Sequence, residues 1–421
     1  MAYTHMEEKK LDVKSIIGFV LIFAILLFML WQNRPTPEEQ AAEKAKQDQL
    51  AREEKAKQEK QKEGTFETTA ADFSSETSSD STKMANLKNK LGSFAYASTL
   101  PSAKDEITEI KTELLTLKFS NKGGFLSEVK LNEFVNYEAV PIYLIKDKNT
   151  FFNITFGTSD NRILNTSDLY FQPTVTENGN NTVVSMKLKV SESEFLEYRY
   201  EIQPENYMVD FTIRSQGLRN VINTSKTIEL DWRMKTFRHD QSIAYENRYT
   251  RLTYQYEDGD KIDKLSQGKS DEETETDVNW LSYRQHFFST ILVAEKPFKS
   301  VRLTSKDLVE DEEVDTLFTK QYTSKMPLTV DAGEINEPMK FYFGPTDSKI
   351  LKKYEYDLEK SIPLGWGIFG WINKALFIPL FGFLSSIMPY GIAIIVMTIL
   401  IKILLSFVQY KQFLSQAKMR V

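Results

Sequence analysis

Two stretches of the chain are almost free of charged side chains. Residues 16–31 carry no charge, and residues 362–401 carry only Lys374. A helix over residues 16–31 is about 24 Å long, and the polar flanks extend it toward the roughly 20 residues that cross a membrane. We therefore predict a transmembrane helix at 16–33. A cleaved signal peptide is the alternative, but no small-x-small cleavage pattern follows the apolar run.

Cations before this first helix predict its orientation. Lys9, Lys10 and Lys14 precede it, whereas only Arg34 follows closely. Lysine and arginine favour the cytoplasmic side, so residues 1–15 are predicted to be cytoplasmic and the following residues outside. Nearby acidic residues make this bias moderate. Whether Met1 or Met6 is the native start stays open.

A polar segment follows at 34–106. Residues 38–63 are almost entirely Glu, Lys, Gln, Ala and Arg, which predicts a solvated helix without the apolar seam of a coiled coil. Half of residues 64–83 are Ser or Thr, a composition typical of a flexible tether. We predict that 34–106 is a charged helix followed by an outside tether.

From residue 107 to about 350 the apolar positions alternate with polar ones. Clear examples are 115–119, 197–202, 209–214 and 228–234, and further strand-like runs lie at 151–156, 183–190, 316–322 and 339–343. This period of two predicts strands with one buried face. Asn178-Gly179 and Asp258-Gly259 are typical of turns, and the acidic segment 271–277 is predicted to be a mobile loop. Many short strands without intervening helices predict an antiparallel β-sandwich.

This β domain offers little catalytic chemistry. It has no GxSxG, HExxH or phosphate-binding-loop pattern, and the GxGxxG spelled by Gly365, Gly367 and Gly370 follows no strand. His239 and Asp240 could serve as an acid/base pair. An ordinary polar loop is the favoured interpretation, because no third partner can be named. His286, flanked by aromatic residues, is predicted to pack.

Composition excludes or disfavours several kinds of site and partner. The chain has no cysteine and three histidines, which excludes disulfides and thiolate chemistry and disfavours a histidine metal cluster. Its 53 basic and 59 acidic residues are well mixed and give a net charge of −6, so a nucleic-acid partner is not predicted. We predict no catalytic residue, no metal site and no cofactor.

The C-terminal apolar region divides at Pro389. We predict a linker and an amphipathic interfacial helix at 351–389, a transmembrane helix at 390–410 and the start of a cytoplasmic loop at 411–421. Trp366, Trp371 and Lys374 suit the membrane interface, and Pro379 should interrupt a spanning helix. If both segments spanned, the cations that follow residue 410 would lie outside, against the positive-inside tendency.

Lys402 lies near the middle of the second apolar segment. A lysine at that depth costs on the order of 2.5–3.5 kcal/mol on insertion scales, and such residues usually face protein or a water-filled cavity. Snorkelling is the alternative, but nine residues of helix are roughly 13 Å, which is a long reach for one side chain. Lys402 is therefore the strongest candidate functional residue.

The order of these elements, and several motifs, resemble the bacterial YidC family of membrane protein insertases (YidC/Oxa/Alb), particularly its Bacteroidetes members. The matching blocks are KSIIGFVLIF (14–23), LGSFAYAST (91–99), SNKGGFLSEVKL (120–131), WLSYRQHFFST (280–290), FYFGPTD (341–347) and QYKQFLSQAKMR (409–420). The family carries an arginine in the second transmembrane helix, and Lys402 falls at that position. Lysine keeps the charge but loses the bidentate fork of arginine.

This resemblance implies an inner-membrane insertase and chaperone with a mutarotase-like periplasmic β-sandwich. Substrates would enter a hydrophilic groove that contains the cation, without nucleotide. The implied partners are nascent membrane proteins, the lipid bilayer, the Sec translocon and, through regions beyond residue 421, the ribosome. Three further helices are expected in the family, so this chain is expected to be an incomplete fragment that does not insert substrates alone.

Two other functions stay open at this point. One is a membrane-anchored periplasmic domain that binds or modifies sugars, which would need a site around His239 and Asp240. The other is a scaffold that links membrane complexes through the β domain. Fold alone does not decide between them.

Overall fold

The computed structural model describes residues 80–268 and 270–418. The predicted segments 1–15 and 16–33, and the tether up to residue 79, lie outside the described residues. So do the last three residues of the predicted cytoplasmic loop.

Three antiparallel sheets form the body of the described chain. The largest has the order β13-β12-β15-β16-β20-β10-β9-β8-β7, with β19 paired to β20. A six-stranded sheet has the order β14-β17-β18-β11-β5-β6, and a four-stranded sheet the order β1-β2-β3-β4. The strands are β1 Ile107–Lys111, β2 Leu115–Ser120, β3 Leu126–Val135, β4 Pro141–Ile145, β5 Thr150–Gly157, β6 Ile163–Asn165, β7 Gln172–Asn178, β8 Asn181–Lys189, β9 Phe195–Ile202, β10 Met208–Gln216, β11 Glu229–Phe237, β12 Arg251–Tyr256, β13 Lys261–Lys264, β14 Asp271–Glu275, β15 Val278–Arg284, β16 Phe288–Phe298, β17 Val301–Asp307, β18 Phe318–Pro327, β19 Val330–Asp331 and β20 Glu334–Pro345.

Helices precede and follow the strands in sequence, and one helix lies between β11 and β12. They are α1 Asp80–Leu91, α2 Ile243–Tyr249, α3 Ser348–Leu351, α4 Gly367–Ile387 and α5 Tyr390–Lys418. Short 3₁₀ helices lie at Gly92–Thr99, Thr166–Asp168, Glu257–Gly259, Lys352–Tyr354 and Leu358–Ser361.

The predicted antiparallel sandwich is confirmed. Each run of alternating residues forms a strand, and Asn178-Gly179 joins β7 to β8 with Gly179 at a φ of 62°. That left-handed backbone suits a tight hairpin and costs glycine little. The alternation succeeds as a predictor because one face of each strand packs into the interior.

Aromatic side chains fill the space between the two larger sheets. Phe152 on the six-stranded sheet meets Phe211 and Phe341 of the other sheet edge-on, at ring distances of 5.7 and 6.2 Å. Trp232 and Tyr283 stack across the same space at 4.1 Å. Such pairs add to the free energy gained from the apolar area they bury, so this layer holds the two sheets together.

The prediction of a mobile loop at 271–277 is wrong for residues 271–275. Residues 271–275 form β14, an edge strand paired with β17, and Arg302 of β17 binds Glu272 at 2.5 Å. The Tyr254 hydroxyl donates to Glu273. Acidic side chains are compatible with an edge strand, since charge there discourages pairing with another chain.

The folded part also begins earlier than the predicted tether boundary at 106. Phe94 in the first 3₁₀ helix is fully buried and contacts Phe156 of β5, with ring centroids 5.1 Å apart. Arg162 donates from Nε to the carbonyl of Asn89 at 3.0 Å. The end of the predicted tether therefore packs into the β domain and is part of its core.

Candidate site on the C-terminal helices

At the start of helix α4, Gly370 packs closely against the backbone of Gly365. A Cβ at Gly370 would lie 2.5 Å from the carbonyl oxygen of Gly365, so only glycine fits at position 370 without a shift. Asn373 also donates from Nδ2 to the Leu364 carbonyl at 2.7 Å. These contacts fold the end of the linker against the first turn of α4.

Pro379 does not break α4. The five residues before Ile378 form a π-helical turn, Asn373–Phe377, and an α-helical segment continues to Ile387. Proline lacks an amide hydrogen and its ring crowds the preceding turn. A widened turn is one way for a helix to absorb that crowding without ending. The expected interruption at Pro379 is therefore a local widening.

The three predicted interfacial residues all have exposed side chains. Trp366 and Trp371 are 79% and 68% exposed, and Lys374 is exposed in the π turn. Both α4 and residues 390–411 of α5 are long and apolar enough to cross a membrane, with mean hydropathies of 1.5 and 2.6. By length and composition, α4 can therefore either lie at the membrane interface or span the membrane.

Helices α4 and α5 form a hairpin, and they contact each other next to the turn that joins them. Leu384 of α4 is 5% exposed and Ala393 of α5 is fully buried, and the rings of Phe381 and Tyr390 stack with centroids 6.0 Å apart. In the first turns of α5 the less exposed side chains are Ala393, Val396 and Met397. That face of α5 is the one turned toward α4.

Lys402 lies on the opposite face of α5. At about 100° per residue, Thr398, Lys402, Ser406 and Gln409 fall within roughly 80° of one another; we call these four residues the polar stripe. The Thr398 and Ser406 hydroxyls donate to the carbonyls of Ile394 and Ile403 at 2.8 and 2.7 Å. Lys402 is exposed and has no hydrogen-bond or ion-pair partner among the described residues. The apolar part of α5 therefore presents one polar face, which carries the single charge of Lys402 and is turned away from the hairpin partner.

Sequence reasoning found Lys402 but missed the rest of the stripe. The signal was present as the spacing of 398, 402, 406 and 409, which repeats at helical intervals. The hydroxyl and amide side chains of the stripe carry no charge, so they do not stand out from an apolar run as Lys402 does.

The pair considered in the β domain is not a free acid/base pair. His239 is 9% exposed, and its Nε2 lies 3.2 Å from the carbonyl oxygen of Tyr143. Burial lowers the pKa of His239 to about 4. Asp240 instead binds Nδ1 of His286 at 2.5 Å. Both side chains line a cavity of about 430 Å³, but each is already engaged by another group.

His286 packs as predicted. Its ring stacks on Phe287 and Tyr249, with centroids 3.8 and 4.5 Å away. The partner that orients it, Asp240, is 46 residues earlier in the chain. No sequence pattern indicated that pairing.

Comparison with known proteins gives the family. Residues 107–379, more than half of the chain, match the YidC periplasmic domain. The chain belongs to the YidC periplasmic domain family. The matched region runs from β1 into α4, so the YidC match reaches from the sandwich to the start of the hairpin.

Relatives named membrane protein insertase YidC extend the match across nearly the whole chain. Membrane protein insertase YidC of Parabacteroides distasonis is 35% identical over 98% of this chain, and that of Porphyromonas gingivalis is 32% identical over 98%. The chain spans about 65% of the length of these curated relatives.

Solved structures with low sequence identity resemble part of the chain. A putative aldose 1-epimerase from Escherichia coli K12 is 9% identical and covers 57% of this chain and 99% of its own, with a TM-score of 0.35. A galactose mutarotase-like protein from Lactobacillus casei is also 9% identical. It covers 57% of this chain and 100% of its own, with a TM-score of 0.35. Likeness at this level is no basis for a sugar-binding or catalytic role.

Proposed function

We propose that this chain acts in membrane protein insertion, and that the polar stripe of α5 receives hydrophilic parts of a substrate. The observation that carries the proposal is Lys402 at mid-helix, on the face of α5 opposite the α4 contact. An exposed lysine in hydrocarbon is costly, so this face should meet protein or a water-filled groove. A groove of that kind shortens the apolar distance that a polar segment has to cross.

The relatives named membrane protein insertase YidC support this function. We assign the activity to the protein at the full length of those relatives. Its role is non-catalytic and needs no cofactor. Substrate hydrophobicity and the membrane potential, worth about 2.3 kcal/mol per charge per 100 mV, supply the driving free energy.

For the membrane arrangement, we infer a cytoplasmic N-terminus, a periplasmic β domain, α4 at the interface and α5 spanning the inner membrane. Exposed Trp366 and Trp371 at the start of α4 support the interfacial position, because tryptophan favours the headgroup zone. Lys411 and the cations that follow it support a cytoplasmic end for α5. The partners that fit this arrangement are nascent membrane proteins, lipids, the Sec translocon and the ribosome.

Site-specific crosslinking tests the function. A photoreactive amino acid at Thr398 or Ser406 in the full-length protein should crosslink to a ribosome-bound nascent membrane protein. The matched control positions are Val396 and Met397, on the face turned toward α4, which should give few adducts. Equal yields from both faces of α5 would contradict a substrate-facing stripe.

A further inference from the structure

Two arginines face each other across neighbouring strands of the largest sheet. Arg251 of β12 and Arg284 of β15 are direct partners in the antiparallel register, so their side chains share one face of the sheet. Arg284 is only 5% exposed. Like charges directly opposite each other destabilise a sheet, and a buried charge is costly unless it is paired.

Nearby carboxylates do not neutralise these two arginines. The buried Lys320 binds Asp307 at 3.0 Å and also donates to the Gln267 carbonyl at 2.8 Å. Arg251 donates from Nη2 to the side-chain oxygen of Gln267 at 2.5 Å. Within the described residues, neither arginine has a carboxylate partner, and both Nε atoms are buried without an acceptor.

Burial makes the charged form of the cations at this position costly. Burial, with a smaller contribution from Arg251, lowers the pKa of Arg284 to about 10. Burial also lowers the pKa of Lys320. The interior here would therefore favour a bound negative charge.

The two arginines open into a cavity of about 330 Å³ beside the linker to α4. Lys264 and Lys360 also line it, and Asp263 is the one acidic residue among its lining side chains. Lys360 also binds Asp357 at 2.8 Å. Residues 361–365 also line the cavity, and exposed Trp366 follows directly. The cavity thus combines buried donors, a basic rim and a position next to the start of α4.

We propose that this cavity binds a phosphate group, with the guanidinium groups of Arg284 and Arg251 as its principal donors. Planar guanidinium groups suit phosphate oxygens, and charge-assisted hydrogen bonds of this kind are the strong ones. The phosphate can belong to a free anion or to the headgroup of an anionic lipid. Only the lipid source depends on the proposed position of α4 at the membrane.

Titration with inorganic phosphate tests the site in the purified chain in detergent. Phosphate should raise the thermal unfolding midpoint saturably, since a ligand that binds only the native state stabilises it. Arg284→Gln and Arg251→Gln should weaken phosphate binding by about tenfold, the equivalent of one lost hydrogen bond to a charged group. Lys226→Gln, an exposed lysine outside the cavity, is the control and should bind like wild type.

Nanodiscs distinguish the two sources of phosphate. If a lipid headgroup occupies the site, phosphatidylglycerol nanodiscs should weaken binding of inorganic phosphate relative to phosphatidylcholine nanodiscs. Equal binding in both would assign the site to a free anion.

Two results would overturn the proposal itself. One is the absence of saturable phosphate binding by wild type, and the other is equal binding by wild type and both arginine variants. If the arginine variants do not fold, Lys264→Glu tests the site in their place, because it reverses an exposed charge on the rim of the cavity. Weaker phosphate binding by Lys264→Glu supports the site, and unchanged binding refutes it.

Discussion

Asp240 binds the imidazole of His286 and not that of His239, its neighbour in sequence. The two loops that carry these residues meet over Glu246 of α2. Its buried carboxylate accepts backbone N–H groups of His239 and Asp240 at 3.3 and 2.9 Å through Oε2, and of His286 at 3.0 Å through Oε1. One acidic side chain therefore holds both loops together, next to the 430 Å³ cavity that His239 and Asp240 line.

Replacing Glu246 should destabilise the β domain. Glu246→Ala leaves three backbone N–H groups without this acceptor, and we expect a loss of about 3 kcal/mol in the free energy of unfolding. Glu246→Gln keeps one acceptor oxygen and should lose about half as much. Urea unfolding followed by tryptophan fluorescence measures both, with exposed Glu355→Ala as the control. A loss no larger than the control's would show that the loops are held by other contacts.

His239 should make stability depend on pH. Burial lowers its pKa from 6.5 to about 4, so the unfolded chain binds a proton that the native state excludes. Stability contributed by neutral His239 is present at pH 7 and is lost as the pH falls between these two values. From pH 7 to about pH 4.5 the loss should be about 2 kcal/mol.

The difference between wild type and His239→Gln isolates this contribution. Burial raises the pKa of Glu246, and that titration is common to both proteins. Unfolding free energies measured at several pH values should converge or cross as the pH falls. Parallel curves for the two proteins would argue against a buried neutral histidine.

Gly370→Ala should disturb the start of α4. Its Cβ would lie 2.5 Å from the Gly365 carbonyl oxygen, and relieving such a clash costs about 1–3 kcal/mol. Faster trypsin cleavage after Lys374 would report the loosened helix. Gly391→Ala is the matched control, because nothing lies within 4 Å of the added Cβ. Identical cleavage rates in the two variants would contradict the predicted clash.

Lys402→Leu in the full-length protein should impair insertion of single-span substrates with polar tails. We expect a decrease of about fivefold, equal to about 1 kcal/mol, the size of one charge interaction at 4 Å in water. Lys402→Arg keeps the charge and should retain activity, and Ile403→Leu is the neutral control. Insertion into proteoliposomes measures the effect. If Lys402→Leu inserted substrates as efficiently as wild type, the charge of Lys402 would have no role in insertion.

A single cysteine can locate α4, because the sequence contains no other. Ser386→Cys should react with a membrane-impermeant maleimide from the periplasmic side if α4 lies at the interface. Lys411→Cys should react only after the membrane is permeabilised. The reverse pattern would mean that α4 spans the membrane and that Lys411 lies outside.

Local patterns in the sequence were enough to predict the sandwich. Alternating residues such as 209–214 identify strands because burial of one face imposes a period of two on consecutive positions. The apolar runs around Lys374 and Lys402 identify membrane-length helices for a similar reason, since length and lack of charge are local properties. Lys402 itself was visible because a charge is rare in such a run.

Pairings between distant residues were decided only by the tertiary structure. Acidic residues 271–275 form a strand because β17 supplies their backbone partners and Arg302. Asp240 meets His286, and Arg251 meets Arg284, because the sheets bring separate strands and loops into register. Sequence thus determined the strands with alternating apolar residues and the apolar helices, through periodicity and hydrophobicity. Which charged side chains share a buried environment depended on the register of strands far apart in the chain.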